Sequence, residues 1–146
     1  MQIDHVELFV PDRREAAAWF RRVLGLQILP EHEPWAKDSG GPLMISSDGG
    51  STKLALFEGT PPGDHETAGY HRVAFRVSAD ELRSFLIRLP GLELTDHLGR
   101  RVTKELLADH RQAYSLYFCD PFGHRLELTS YEHEEMMALL ADLPDM

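Results

Sequence analysis

The sequence predicts an α+β fold made of two βαβββ modules in tandem, and three observations carry that prediction. An alternating run near the start, IDHVELFV, has a counterpart in the second half, GYHRVAFRV. Each run leads into a residue suited to capping a helix, followed by apolar residues at helical spacing. Each helix then gives way to short β-prone runs separated by Gly and Pro.

In IDHVELFV, strand alternation puts Ile3, His5, Glu7 and Phe9 on one face and Val6, Leu8 and Val10 on the other. Asp12, with Glu15 three residues on, opens a helix whose apolar stripe is Ala16, Trp19, Phe20, Val23 and Leu24, and Gly25 stops it. Further strands are expected at 26–29, 43–46 and 52–57, which completes a first module over about residues 1–60. The second module spans about residues 68–131 and repeats the order. Its first strand has His71, Val73, Phe75 and Val77 on one face. Ser78 and Glu81 form a capping box, Leu82, Phe85, Leu86 and Leu89 form the stripe, and Pro90 and Gly91 are expected to end the helix. Strands follow at 92–95, 114–119 and 125–129, with a short helix inserted over 102–108. A terminal helix over about 132–142 carries Met136, Met137, Leu139 and Leu140. No low-complexity linker separates the modules, so residues 1–146 are expected to form a single domain.

Composition narrows the function classes. Hydrophobic residues make up 42% and charged residues 27% of the 146, which is a globular balance. A net charge of −9, with no basic stripe, argues against a phosphate-neutralising nucleic-acid binder. No apolar run is long enough to span a bilayer, and the brief apolar segment near the start, which carries Asp4, His5 and Glu7, is not expected to act as a signal peptide. The single Cys119 has no internal partner, so a cytoplasmic location is expected.

Superimposing the halves by sequence sets His5 against His71 on the first strands, and Ala55 of KLALF against Glu127 of RLELT on the last. Two neutral imidazoles and one carboxylate make a facial metal triad with open coordination positions, suited to Fe(II) or Mn(II). Either histidine alone would more often be a satisfied core residue. Their matched places in the repeat are what point to ligands.

The segments HVELFV, HRVAFRV and SLYFCDPFGHRLEL, on a doubled βαβββ pattern, resemble the vicinal oxygen chelate superfamily. That group includes glyoxalase I, fosfomycin resistance enzymes, bleomycin resistance proteins and extradiol dioxygenases. The resemblance implies a cupped eight-stranded mixed sheet with helices on its outer face, a small-molecule substrate and a homodimer. It also implies one divalent metal on His5, His71 and Glu127, with Fe(II) or Mn(II) favoured and Zn, Ni or Co possible. Ala55 departs from glyoxalase I, which has a fourth ligand there, and Glu7 stands where fosfomycin enzymes carry Thr. His110, the pair Leu116 and Tyr117, and the D-P-x-G turn from Asp120 to Gly123 ahead of Glu127 are similar to extradiol dioxygenases. That likeness implies catalytic roles for His110 in proton transfer and for Tyr117 in hydrogen-bonding a bound oxygen. The expected function is ring cleavage of a small aromatic diol. A metal-dependent lyase, isomerase or thiol transferase and a non-catalytic resistance protein remain the alternatives. The loops at 31–41 and 59–69, expected at the mouth of the site, do not identify a substrate.

Overall fold

A computed structural model describes residues 3–60 and 71–143. The chain divides into two compact units, Met1–Ala68 and Gly69–Met146. Each contains one four-stranded mixed sheet, and together they give the expected α+β class with two βαβββ modules.

In the first unit the order is β1 (His5–Val10), α1 (Arg13–Leu24), β2 (Gln27–Ile28), a 3₁₀ helix (Pro30–Lys37), β3 (Leu43–Ser46) and β4 (Lys53–Glu58). The sheet runs β1-β4-β3-β2, with β1 parallel to β4 and the remaining pairs antiparallel. Helix α1 starts because the Asp12 carboxylate accepts the N–H groups of Arg14 and Glu15 at 2.8 and 2.9 Å, two donors with no partner inside the helix. It stops where Gly25 takes a left-handed φ of 74° and returns its N–H to Arg21 O. Its buried side chains are Ala16, Ala17, Phe20 and Val23. One sheet face buries Leu8, Val10, Leu43, Ile45, Leu54 and Leu56; on the other, Ala55 and Met44 pack with Leu29 and Phe57. The 3₁₀ segment has no signature in the sequence pattern. It is pinned from a distance by Arg13, whose guanidinium donates to the carbonyls of Ala36, Asp38 and Gly41 and to the Glu58 carboxylate.

In the second unit the order is β5 (Val73–Arg76), α2 (Ala79–Leu92), a 3₁₀ turn (Lys104–Leu106), β6 (Ala108–Asp109), β7 (Tyr114–Cys119), β8 (Arg125–Ser130) and α3 (His133–Ala141). The sheet repeats the first one as β5-β8-β7-β6, again with its first and last strands parallel. The capping box of Ser78 and Glu81 opens α2 as expected. Pro90 and Gly91 do not end it: the helix runs on to Leu92 and closes at Glu93, at φ 53°. A proline in the last turn removes a single backbone donor, and Pro90 O is held by Arg101 Nη2 at 2.7 Å. The strand expected at 92–95 is reduced to bridges from Thr95 to Arg101 and Cys119, and the helix expected at 102–108 becomes the 3₁₀ turn and β6. His71 and Arg72 precede β5; residues 61–70, including most of the second mouth loop, lie outside the described residues.

The inner face of this sheet buries Leu116, Phe118, Leu126 and Leu128, and the Phe118 ring stacks on Phe85 of α2 with centroids 5.7 Å apart. Among the described residues no helix is long and apolar enough to cross a membrane. Two substitutions away from the open sheet face test this packing. Phe118→Ala removes a ring that is 2% exposed and is expected to cost about 3–5 kcal/mol in urea denaturation. Ser78→Ala removes one cap bond and should cost about 1 kcal/mol.

Candidate functional site

Strand alternation leaves β7, β8 and β5 with a second face, turned away from α2. Across it Tyr117, Glu127 and Ala74 stand side by side in register. The D-P-x-G turn makes this alignment. The buried Asp120 carboxylate accepts the N–H groups of Phe122 and His124 at 2.9 and 2.8 Å, and Gly123 takes φ 95°. The chain reverses there so that Tyr117 and Glu127 emerge on one side.

His110 follows β6 and is exposed, and its ring Nε2 lies 2.8 Å from the Tyr117 hydroxyl. The two residues expected to be catalytic are therefore brought together. Their loop is anchored by Asp109, which accepts the Arg111 N–H at 2.7 Å and contacts Nε2 of His133 at 2.8 Å. Those two partners hold the Asp109 carboxyl below its usual range. Burial, reinforced by Asp109, pushes the neighbouring Tyr114 phenol up.

A basic residue that sequence comparison did not single out joins this group. The Arg72 guanidinium lies over the Tyr117 ring, 4.4 Å from its centroid, and its Nε is buried with no hydrogen-bond partner. Stacking of this kind contributes about 0.5–2 kcal/mol. The unmatched N–H costs about 1–3 kcal/mol.

Whether the three expected ligands fit a metal turns on register. In the first unit Ala55 is paired with Glu7, and two residues earlier Lys53 is paired with His5. In the second, Glu127 is paired with Ala74, and two residues earlier Arg125 is level with Arg72, the residue ahead of the Val73–Leu126 pair. Counted by hydrogen-bond register, the equivalent of His5 is Arg72. His71 is one residue out of step and corresponds to Asp4. His71 is exposed before the strand begins, with Arg125 Nη1 at 3.3 and 3.2 Å from its Nδ1 and Nε2. His5 is exposed too, with Nδ1 2.7 Å from Asp4 and Nε2 3.7 Å from Glu7. Glu127 projects from the open face beside Tyr117. Within the second unit, register thus sets a carboxylate at Glu127 and, two residues along the same face, a guanidinium at Arg72. A guanidinium stays protonated and has no lone pair to give a metal. Within either unit, among the described residues, no three His, Cys, Asp or Glu side chains are grouped to hold a metal ion. Within the second unit, Arg72 and Glu127 together thus offer a metal one ligand, the Glu127 carboxylate.

Two cavities of about 600 and 410 Å³ lie elsewhere, one along α1 and β2 by Arg14, Arg21 and Gln27, the other by Leu86, Pro90 and Thr103.

The family model of the Glyoxalase/Bleomycin resistance protein/Dioxygenase superfamily matches residues 2–128. The chain belongs to that superfamily. Metallothiol transferase FosB of Lysinibacillus sphaericus (strain C3-41) is 26% identical over 125 residues, 86% of this chain and 79% of FosB. Among solved structures, oxidase ChaP-H2 is similar with a TM-score of 0.64 at 22% identity, over 93% of this chain and 98% of that one. Fosfomycin resistance protein FosX from Listeria monocytogenes, complexed with Mn(II) and sulfate ion, has a TM-score of 0.61 at 18% identity, over 94% and 95%. At such identities the two structural likenesses show a shared fold.

Cys119 shares the parity of Tyr117, and burial, followed by the Asp120 carboxylate, pushes its thiol up. The thiolate is the reactive form, so alkylation by iodoacetamide at pH 7.5 should run several-fold slower than that of free cysteine and speed up as pH rises. Intact-mass spectrometry over time reads this directly. Modification as fast as the free thiol would contradict the assignment of Cys119 as a filler of the fold.

Proposed function

We propose that this chain is an enzyme acting on a small molecule at the open face of its second unit, with His110 and Tyr117 as a proton-handling pair beside Glu127. The 2.8 Å contact between His110 Nε2 and the Tyr117 hydroxyl carries the reading. His110 is exposed and can exchange a proton with solvent, while the half-buried phenol reaches over the face that Glu127 occupies. A proton can pass from water to the ring nitrogen, from there to the phenol oxygen, and on to a group bound against Glu127. Arg72 over the ring restrains the phenol, so that its hydroxyl meets His110 in one geometry.

Membership of a superfamily of typically metal-dependent enzymes supports turnover as the role. The order His110, Tyr117, Glu127 favours oxidative cleavage of a small aromatic diol, whereas the FosB relationship favours transfer of a thiol. The metal that either reaction calls for, on His5, His71 and Glu127, is the component least supported by strand register.

An oxygen-uptake assay on catechols with Fe(II)-treated protein, run beside a thiol–epoxide assay with Mn(II), separates the two chemistries. Whichever proceeds, His110→Phe is expected to slow it by roughly two to four powers of ten if proton transfer is the lost role. Tyr117→Phe should have the smaller effect, of about tenfold, since one hydrogen bond is removed. Equal rates in wild type and His110→Phe would remove the pair from the mechanism, and no turnover in either assay would leave a binding protein. A homodimer is part of the same proposal, because an open strand edge in each unit needs cover. Sedimentation at micromolar concentration is expected to give about twice the chain mass of 16.6 kDa.

A further inference from the structure

We propose that the open face of the second unit binds the oxyanion group of a small molecule at Arg72 and Arg125, with Arg72 standing where a second metal-binding imidazole would be. This deepens the preceding reading by naming the substrate class of that same face, and it rests on that face being the site.

The β5–β8 register, extended one residue back, sets the guanidiniums of Arg72 and Arg125 level, and Arg76, four residues beyond Arg72, shares their parity. The chain as a whole carries a net charge of −9, so this concentration of positive charge runs against its composition. Among the described residues no carboxylate forms an ion pair with Arg72, Arg76 or Arg125. By contrast Arg13, Arg14 and Arg100 are all paired with Glu or Asp. Arg125 Nη1 is turned to the His71 ring and not to a carboxylate, and Arg72 keeps a buried Nε with no acceptor. Two adjacent cations, one of them orphaned, lack an acceptor of negative charge. The fork of a guanidinium matches two oxygens of a carboxylate, phosphate or phosphonate at once. Stacking on Tyr117 fixes the plane of Arg72 in advance, which lowers the entropy lost on binding. Glu127, on the same face, repels an anion placed against it, so the ligand presents a hydroxyl or other donor there and its oxyanion to the arginines. A dinegative probe would therefore sit on the arginine side.

The test uses the full chain, stripped of metal with a chelator, in calorimetric titrations with inorganic phosphate, malonate and Mn(II) separately. At least one of the two anions is expected to bind the wild type. Arg72→Ala and Arg125→Ala should each weaken that binding tenfold or more, with circular dichroism confirming the fold. Arg72→Lys, which keeps the charge and loses the fork, should fall between. Arg72→His should lose the anion and gain at least tenfold in Mn(II) affinity, since an imidazole then stands in register beside Glu127. Three results would each overturn the proposal: neither anion bound by the wild type; anion binding that both alanine variants leave unchanged; or stoichiometric Mn(II) on the wild type that His71→Ala removes and Arg72→Ala spares. Because binding is read without turnover, a failure here is distinct from failure of the His110–Tyr117 relay.

Discussion

Each module depends on one parallel pairing, that of its first strand with its last: β1 with β4 and β5 with β8. A parallel partner cannot be reached by a hairpin, so the intervening helix and strands must cross over and return, and the helix is thereby laid on one face of the sheet. That face becomes the apolar core. In the second unit, Leu126 and Leu128 of β8 meet Leu116 and Phe118 of β7 against the ring of Phe85. The opposite face inherits every side chain of the other parity, which is why Glu127, Tyr117 and Arg72 share a surface although they are far apart in sequence. The core needs the pairing in this register, since a slip by one residue would turn Leu126 and Leu128 outward. The chemistry of the open face follows from it.

Much of this was legible in the sequence, because it is written in local signals. The caps at Asp12 and Ser78, the left-handed Gly25 and the Asp120 to Gly123 turn each act through backbone groups a few residues away. The pair His110 and Tyr117 was legible for a related reason, since β6, β7 and the tight connection between them keep the two close along the chain. What was not legible depends on long-range partners. The 3₁₀ segment from Pro30 to Lys37 is held by Arg13, and Pro90 is accommodated in α2 with its carbonyl taken by Arg101. Neither partner is visible in a window of neighbouring residues.

The second imidazole shows the same limit in the place where it matters most. Likeness of letters aligns His71 with His5, because both open an alternating apolar run. Extending the pairing of β5 with β8 back by one residue sets Arg72 level with Arg125, as His5 is level with Lys53 in the first unit. In a structure of period two, one residue is the whole difference between the two faces of a sheet. The sequence pattern and the strand register therefore point to neighbouring residues, His71 and Arg72, and only the partner strand brings out the difference.

That single step inverts the electrostatics of the site while leaving the fold untouched. An imidazole at the position of Arg72 would be neutral and present a lone pair, so that with Glu127 it would attract a cation. A guanidinium there is charged at every accessible pH, presents only donors, and lies beside a second guanidinium. The apolar face is built by Leu116, Phe118, Leu126 and Leu128, and the course of the open face is set by backbone pairing that either side chain permits. Function here belongs to the side chains grafted on that face and not to the sheet that carries them. Superfamily membership accounts for the sheet, and on the oxyanion proposal the charge at position 72 decides which sign of ligand its open face accepts.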